Sequence, residues 1–489
     1  MPDRKIAVLL NTAIASLLLT SCTAVGGGPI PSASAPITVS EARVGAEAHP
    51  QFLAEFGGAY QGPQSAYVEQ IGKNIAVQSG LGNARESFTV TLLNSSVNNA
   101  FAIPGGYVYA TRQLVGLMNN EAELAGVLGH EVGHVAARHS QRRQAAAQKN
   151  SIIGAAGAIL SGVFLGDSGI GDTISRGFLQ GSQMLTLKFS RSQELEADQL
   201  GIQYLGSAGY DPRAMATVLQ SLAAQNALDA SLQGNNASVP AWASTHPDPA
   251  SRVQTAFAKA GAASGTTNRD TFLTRINGLV YDDDPAQGVI EAGQFLHPAF
   301  RLAFTAPNGF YMVNGSRAVS INGESGRAQF STAPYNGNLD TYVREVFSAV
   351  GGSQQKLVPA NLQRTTVNRI PAMFGTARVN NGSSQIDVTV FAYEFANNRA
   401  FHFVTIAPAG ASATFNAMFG SVRRISSAEA AAVVPRKIAV VTVGRGDTVR
   451  TLASRMAYST AQQQRFRVIN GLSSSDTVLP GQRVKLVVK

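Results

Sequence analysis

From Asn120 onward, Leu124, Val127, Leu128 and Val135 recur at helical spacing, and Asn120 followed three residues later by Glu123 has the form of a capping box. The pattern predicts a capped helix buried in a core. Residues 88–93 are rich in β-formers and partly alternate, and Tyr107, Val108 and Tyr109 make a second short β-like run after Pro104-Gly105-Gly106. Residues 190–198 return to a helical pattern. Further on, residues 270–430 mix short strands, such as 387–395 and 401–406, with helical patches near 339–350 and 415–422, which predicts an α+β domain. Between these blocks, 260–268 is rich in Gly, Ala, Ser and Thr and reads as a linker. The apolar, Gly/Ala-rich stretch 151–165 is shorter than the roughly 20 residues that cross a membrane. Its readings are a buried helix, a plug over a site, or a surface that touches lipid or barrel proteins.

The ends of the chain add an address. Arg4 and Lys5 precede an apolar run over 6–19, which stops at Leu19-Thr20-Ser21-Cys22. This resembles a bacterial lipoprotein signal (residues 1–21), and predicts cleavage before Cys22 and lipidation of that residue; an uncleaved anchor or a plain signal peptide is the alternative. Cys22 is the only cysteine, so no intrachain disulfide can form. Thr23 after it favours the outer membrane, and residues 22–44 read as a flexible tether. With 489 residues, 44% of them hydrophobic, the chain can fill two or three cores.

The candidate chemistry sits in the helix that follows Asn120. His130, Glu131, Val132, Gly133 and His134 spell HEVGH. Residues four apart on a helix lie about 40° apart around its axis, so both imidazoles can hold one metal ion. Glu131 lies about 100° from His130, where its carboxylate can reach a water in the metal's open position. Gly133 costs about 1 kcal/mol against Ala within a helix, which suggests a close approach by another element. A catalytic zinc site usually takes three protein ligands. His139 is rotated about 140° from His134 on a continued helix and cannot share its face. The third ligand is therefore sought elsewhere. In Ser190-Arg191-Ser192-Gln193-Glu194-Leu195-Glu196-Ala197-Asp198, Glu194 and Asp198 share a face while Glu196 points about 200° away from Glu194. One of the two could bind metal and the other orient a ligand histidine; spacing does not rank them.

HEVGH at 130–134, SRSQELEAD at 190–198 and NNAFAIPGGYVYATRQL at 98–114 together resemble the zinc metallopeptidase family of CAAX prenyl proteases, HtpX-like heat-shock proteases, Oma-type mitochondrial proteases and the periplasmic β-barrel assembly-enhancing protease. The resemblance spans roughly 45–260 and implies a gluzincin: a mainly helical zinc-peptidase domain with a small sheet beside the HExxH helix. It implies zinc on His130, His134 and Glu194, Asp198 beside the ligands, and Glu131 as general base. The segment around Thr245-His246-Pro247 also resembles a family element, whose histidine in some periplasmic relatives takes the fourth zinc position and holds the enzyme latent. His246 is equally read as a His-Pro turn before the helix that begins near Pro249. Besides the metal, Arg252 is the candidate to stabilise the oxyanion. An edge strand beside the active helix suits an extended polypeptide substrate.

Charge is uneven along the chain. Its net value is +9, and residues 436–489 alone hold ten Lys/Arg against two Asp. In that segment Val443-Gly444-Arg445-Gly446-Asp447-Thr448, Val468-Ile469-Asn470-Gly471-Leu472 and Leu479-Pro480-Gly481-Gln482 resemble a LysM module, which implies a βααβ fold and affinity for N-acetylglucosamine-containing glycans, here peptidoglycan. An exported chain would not meet nucleic acid. The expected whole is an α+β lipoprotein of the outer membrane facing the periplasm: zinc-peptidase domain 45–260, α+β domain 270–430, LysM-like module 436–489. Its expected activity is zinc-dependent endoproteolysis of misassembled periplasmic and outer-membrane polypeptides. The competing expectation is a latent metalloprotein acting as chaperone or wall-tethered scaffold.

Overall fold

The computed structural model describes residues 35–145, 189–233, 246, 249–351, 357–380 and 385–489. The expected lipidation site Cys22 and the apolar stretch 151–165 lie outside them. Helix α1 (Val39–Glu55) begins inside the stretch expected to be tether, capped by a reciprocal pair: Thr38 accepts from the Glu41 amide and Glu41 from the Thr38 amide. It lies on one face of a small sheet whose order is β1 (Thr89–Leu93), β3 (Tyr107–Thr111), β2 (Ala100–Ile103). Phe52 and Phe56 of α1 pack there on Phe101 and Tyr109. Helix α2 (Gln64–Val77) covers β1 from the other face, with Gly72 letting Val90 approach.

Short α3 (Arg112–Leu117) leads into α4 (Glu121–Ala136), the helix that carries HEVGH. Every residue of α4 except Val135 is buried. The Asn120 side chain caps it by accepting from the Glu123 amide at 2.9 Å, a contact worth about 1 kcal/mol. Glu123 reaches back one residue further than a capping box does, to the Asn119 amide at 2.7 Å. Helix α5 (Arg191–Ser207) crosses α4 at glycines. A Cβ on Gly133 would lie 3.3 Å from the Ala197 carbonyl oxygen and from Leu200 Cβ, and one on Gly201 would lie 3.1 Å from the His130 amide nitrogen. That contact is the close approach the glycine in HEVGH suggests. Helices α6 (Ala214–Gln233) and α7 (Pro249–Ala260) complete the bundle.

The stretch 260–268 is pinned down: Thr266 bridges Tyr210, and the Thr267 carbonyl accepts from the Glu121 amide at 3.0 Å. Helix α8 (Arg269–Ile276) sends Phe272, Leu273 and Ile276 into the same core as α2 and α4. The α+β region follows β4 (Val280–Tyr281). Strands β5, β6 and β7 (Val289–Glu291, Gln294–His297, Leu302–Thr305) form a four-stranded sheet with β15 (Arg423–Arg424). Strands β8, β9 and β10 (Tyr311–Asn314, Val319–Gly323, Gly326–Ala333) join β11 to β14 (Leu362–Val367, Ile370–Asn380, Gln385–Ala396, Arg399–Pro408) in a seven-stranded sheet of order β11-β12-β13-β14-β10-β9-β8. Phenylalanines 295, 304, 330 and 403 fill the space between the sheets, and α9 (Leu339–Gly351) covers the other face.

The last segment folds in the order β16 (Arg436–Thr442), α10 (Val449–Ala453), α11 (Gln462–Ile469), β17 (Arg483–Val488). It is docked on the first core. Strand β4 adds to β16, and Ile438, Phe466, Val484 and Leu486 share a core with Leu117 and Tyr281.

Candidate metal centre

The crossing of α4 and α5 brings His130, His134 and Glu194 together, and His246 enters from beyond α6. One donor atom from each of the four lies within 4.8 Å of the others, and all four residues are buried. His130 Nε2 and His134 Nε2 are 3.0 Å apart, and they face Glu194 oxygens at 3.4 and 3.5 Å. His246 Nδ1 is 3.0 and 3.1 Å from the two Glu194 oxygens and 3.2 Å from His130 Nε2. Imidazole lone pairs converging on one carboxylate away from water form a set that a cation satisfies. Three nitrogens and an oxygen at tetrahedral number suit zinc.

Beside the cluster, His130 Nδ1 meets Asp198 Oδ1 at 3.0 Å, which directs the ring's other nitrogen to the centre. Arg252 donates to both Asp198 oxygens and sits 2.9 Å from Glu194 Oε2. Its guanidinium is thus committed to carboxylates, which does not support an oxyanion role and instead makes it the clamp on both acids. Burial disfavours every charge here, and partners decide which persist. Burial pulls against His130, but Asp198 and Glu194 outweigh it and hold the ring's pKa up at about 9. Against the same burial, His246 and His130 hold the Glu194 carboxyl far below the usual range, and Arg252 and His130 hold Asp198 at about 2. Burial pushes His134 well down, with the charge on His130 adding to it. Anionic Glu194 and neutral His134 are ready to ligate, whereas His130 must give up its proton to a metal that takes Nε2.

Glu131 is fully buried, and neither of its oxygens has a hydrogen-bond partner among the described residues. The nearest polar group is His246 Nε2, 3.4 Å from Oε1. Burial raises its pKa.

Three features were not legible beforehand. Edge strand β2, which flanks α4, was missed in the sequence because Ala100–Ile103 is buried throughout and shows no alternation. Phe189 stacks on His134, with ring centroids 3.9 Å apart. His139, set aside as a ligand, lies outside the cluster yet touches it: its Nδ1 is 2.8 Å from His134 Nδ1. Glu196 does point away from the metal position, and meets His139 Nε2 at 3.2 Å and Arg142 at 2.8 Å.

Residues 63–259 match the profile of peptidase family M48. This stretch is similar to that family. M48 peptidases are zinc-dependent, and the buried His130, His134, Glu194 and His246 group is able to hold a metal. The chain is 34% identical over 193 residues to the β-barrel assembly-enhancing protease of Yersinia pestis, covering 39% of this chain and 37% of that protein. It is 30% identical over 218 residues to the mitochondrial metalloendopeptidase OMA1 of Schizosaccharomyces pombe, covering 44% and 59%. Over 127 residues it is 31% identical to the metalloprotease LoiP of Escherichia coli K12, covering 26% and 47%. The chain thus spans less than two thirds of these relatives' lengths. Helix α1, which packs on the sheet of the M48 domain, precedes the matched residues.

Proposed function

We propose that the chain is a zinc-dependent endopeptidase of the bacterial cell envelope, acting on misfolded or misassembled periplasmic and outer-membrane polypeptides. The observation that carries the reading is the buried Glu131 carboxylate, without a hydrogen bond among the described residues, next to the His130, His134, Glu194 donor set in an M48-like stretch. Zinc held by His130, His134 and Glu194 would supply Lewis acidity to the scissile carbonyl and acidity to an attacking water. Glu131 takes the proton of that water and delivers it to the leaving amine, a transfer its raised pKa favours in both directions. Asp198 and Arg252 hold the ligand set in register. A cleft lined by Ala102, Ile103, His134 and Arg138 runs from β2 to the centre, and an extended polypeptide adding to β2 would pass the donors whatever its side chains.

His246 serves as the fourth ligand and the brake. It occupies the corner beside Glu194 and lies against Glu131, so that water and substrate reach the centre only when it leaves. The names of the relatives support the envelope as the setting, and the signal-like residues 1–21 with Cys22 support anchorage of a lipoprotein in the outer membrane, facing the periplasm. The βααβ order of 436–489 supports a LysM-like module with peptidoglycan as partner. Arg436, Arg483, Lys485 and Lys489 are engaged by carboxylates or carbonyls of the protein, while exposed Lys437, Arg445, Arg450 and Arg455 offer charge to the wall.

The test compares wild type with Glu131→Gln on casein and on an unfolded outer-membrane protein, with and without a zinc chelator. Cleavage is expected from wild type alone, and only without chelator. Equal turnover by the variant, or indifference to the chelator, sinks the peptidase reading.

A further inference from the structure

Each acid of α5 between 194 and 198 meets a residue of α4 or of the turn that follows it, and the use of Glu196 is the one the peptidase reading does not explain. Helix α4 stops at Ala136, and Arg138 turns the chain back with a left-handed φ of 52°. Such a conformation costs a non-glycine residue about 1–3 kcal/mol. Here the buried Arg138 side chain offsets it by donating to the Ala35 and Pro36 carbonyls and pairing with Glu41. The reversal lays fully buried His139 against His134, at 2.8 Å between their Nδ1 atoms. Gln193 holds the His139 carbonyl at 3.0 Å, and Phe189 blocks the His134 ring from swinging.

We propose that His139 and Glu196 are positioning residues for the metal: a hydrogen-bonded relay, Glu196 to His139 to His134, that fixes His134 in the one tautomer able to ligate through Nε2. The inference rests on the metal-centre reading. A ligand at Nε2 must be neutral and carry its proton on Nδ1. That proton points at His139 Nδ1, which must then accept. His139, neutral, therefore carries its own proton on Nε2, facing Glu196 Oε2 at 3.2 Å, an acceptor only. The opposite assignment puts a lone pair of His139 against the carboxylate and moves the His134 proton to Nε2, where it blocks ligation. Arg142, 2.8 Å from the same Glu196 oxygen, holds the carboxylate from the solvent side. The two histidines of HEVGH are thus oriented in different ways, His130 by Asp198 directly and His134 by an acid one imidazole removed.

The test is zinc affinity of the full chain, by competition with a chromophoric chelator, together with the visible spectrum of the cobalt(II)-substituted protein. Partners of this kind typically govern metal affinity by about 10–100-fold. His139→Leu and Glu196→Leu are expected to weaken zinc binding within that range and to shift the cobalt bands. Glu196→Gln keeps an acceptor without the charge and should fall between them and wild type. Glu69→Gln, which removes a surface carboxylate paired with Lys73, should change neither. Should His139→Leu fail to fold, the Glu196 variants carry the test, because that side chain is 43% exposed. Zinc affinity within twofold of wild type in Glu196→Leu, with an unchanged cobalt spectrum, would overturn the relay. Wild type that binds no zinc would overturn the metal-centre reading itself and the relay with it.

Discussion

At the residue scale, the two side chains that face each other across the centre have opposite expected phenotypes. Glu131→Gln removes a proton carrier and no ligand, so zinc content should stay near wild type while peptide hydrolysis falls by about 10²–10⁴, a split that metal analysis and casein turnover read separately. His246→Ala removes the group at 3.0 Å from Glu194 and 3.4 Å from Glu131. Basal hydrolysis should rise and zinc affinity fall; a rise in neither hydrolysis nor zinc off-rate would remove the braking role. HEVGH displayed its two converging imidazoles in the sequence because one helix carries both. Arg252 and His139 were not legible in their present roles. The first depends on the packing of α7 against α5, and the second on a left-handed Arg138 that no local pattern announces.

At the element scale, the glycines of the α4–α5 crossing set the width of the site. Gly201→Val should push α5 outward and cost about 1–3 kcal/mol, and zinc affinity should drop with the melting temperature as Glu194 leaves the histidines. In the seven-stranded sheet, His402 sits buried between Tyr342 Oη at 2.8 Å and Ser331 Oγ at 3.1 Å. Burial lowers its pKa from 6.5 to about 4. Between those values the unfolded chain takes up a proton that the folded one refuses. Stability is therefore full above pH 6.5 and declines toward pH 4, by on the order of 3 kcal/mol. Melting of metal-free protein should show this acid slope, and His402→Gln should reduce it, leaving the part that His297, lowered by burial to about 4, contributes. Strands 387–395 and 401–406 were readable because a sheet with a helix on one face and a second sheet on the other repeats its pattern over long strands. The start of α1 was not, since its cap, Thr38 with Glu41, lies in a stretch whose small residues read as tether.

At the scale of the whole molecule, the positive charge of residues 436–489 was plain in the sequence and its destination was not. Lys485 is fully buried and donates to the carbonyls of Gly116, Leu117 and Met118, just ahead of α4. Lys485→Met would remove the donor these carbonyls share, at about 1–3 kcal/mol for an unsatisfied buried group, and calorimetry should show a lower melting temperature for the domain that carries HEVGH. Removing residues 436–489 should do worse, because Tyr281 and Leu117 lose the apolar partners that cover them.

The donor to the loop before HEVGH arrives 367 to 369 residues further along the chain. Synthesis from the N-terminus completes the HEVGH helix long before it makes that lysine. Until residue 485 is present, the carbonyls of Gly116, Leu117 and Met118 lack their shared donor. In order of synthesis, the far end of the chain is thus the last part to fasten the start of the HEVGH helix.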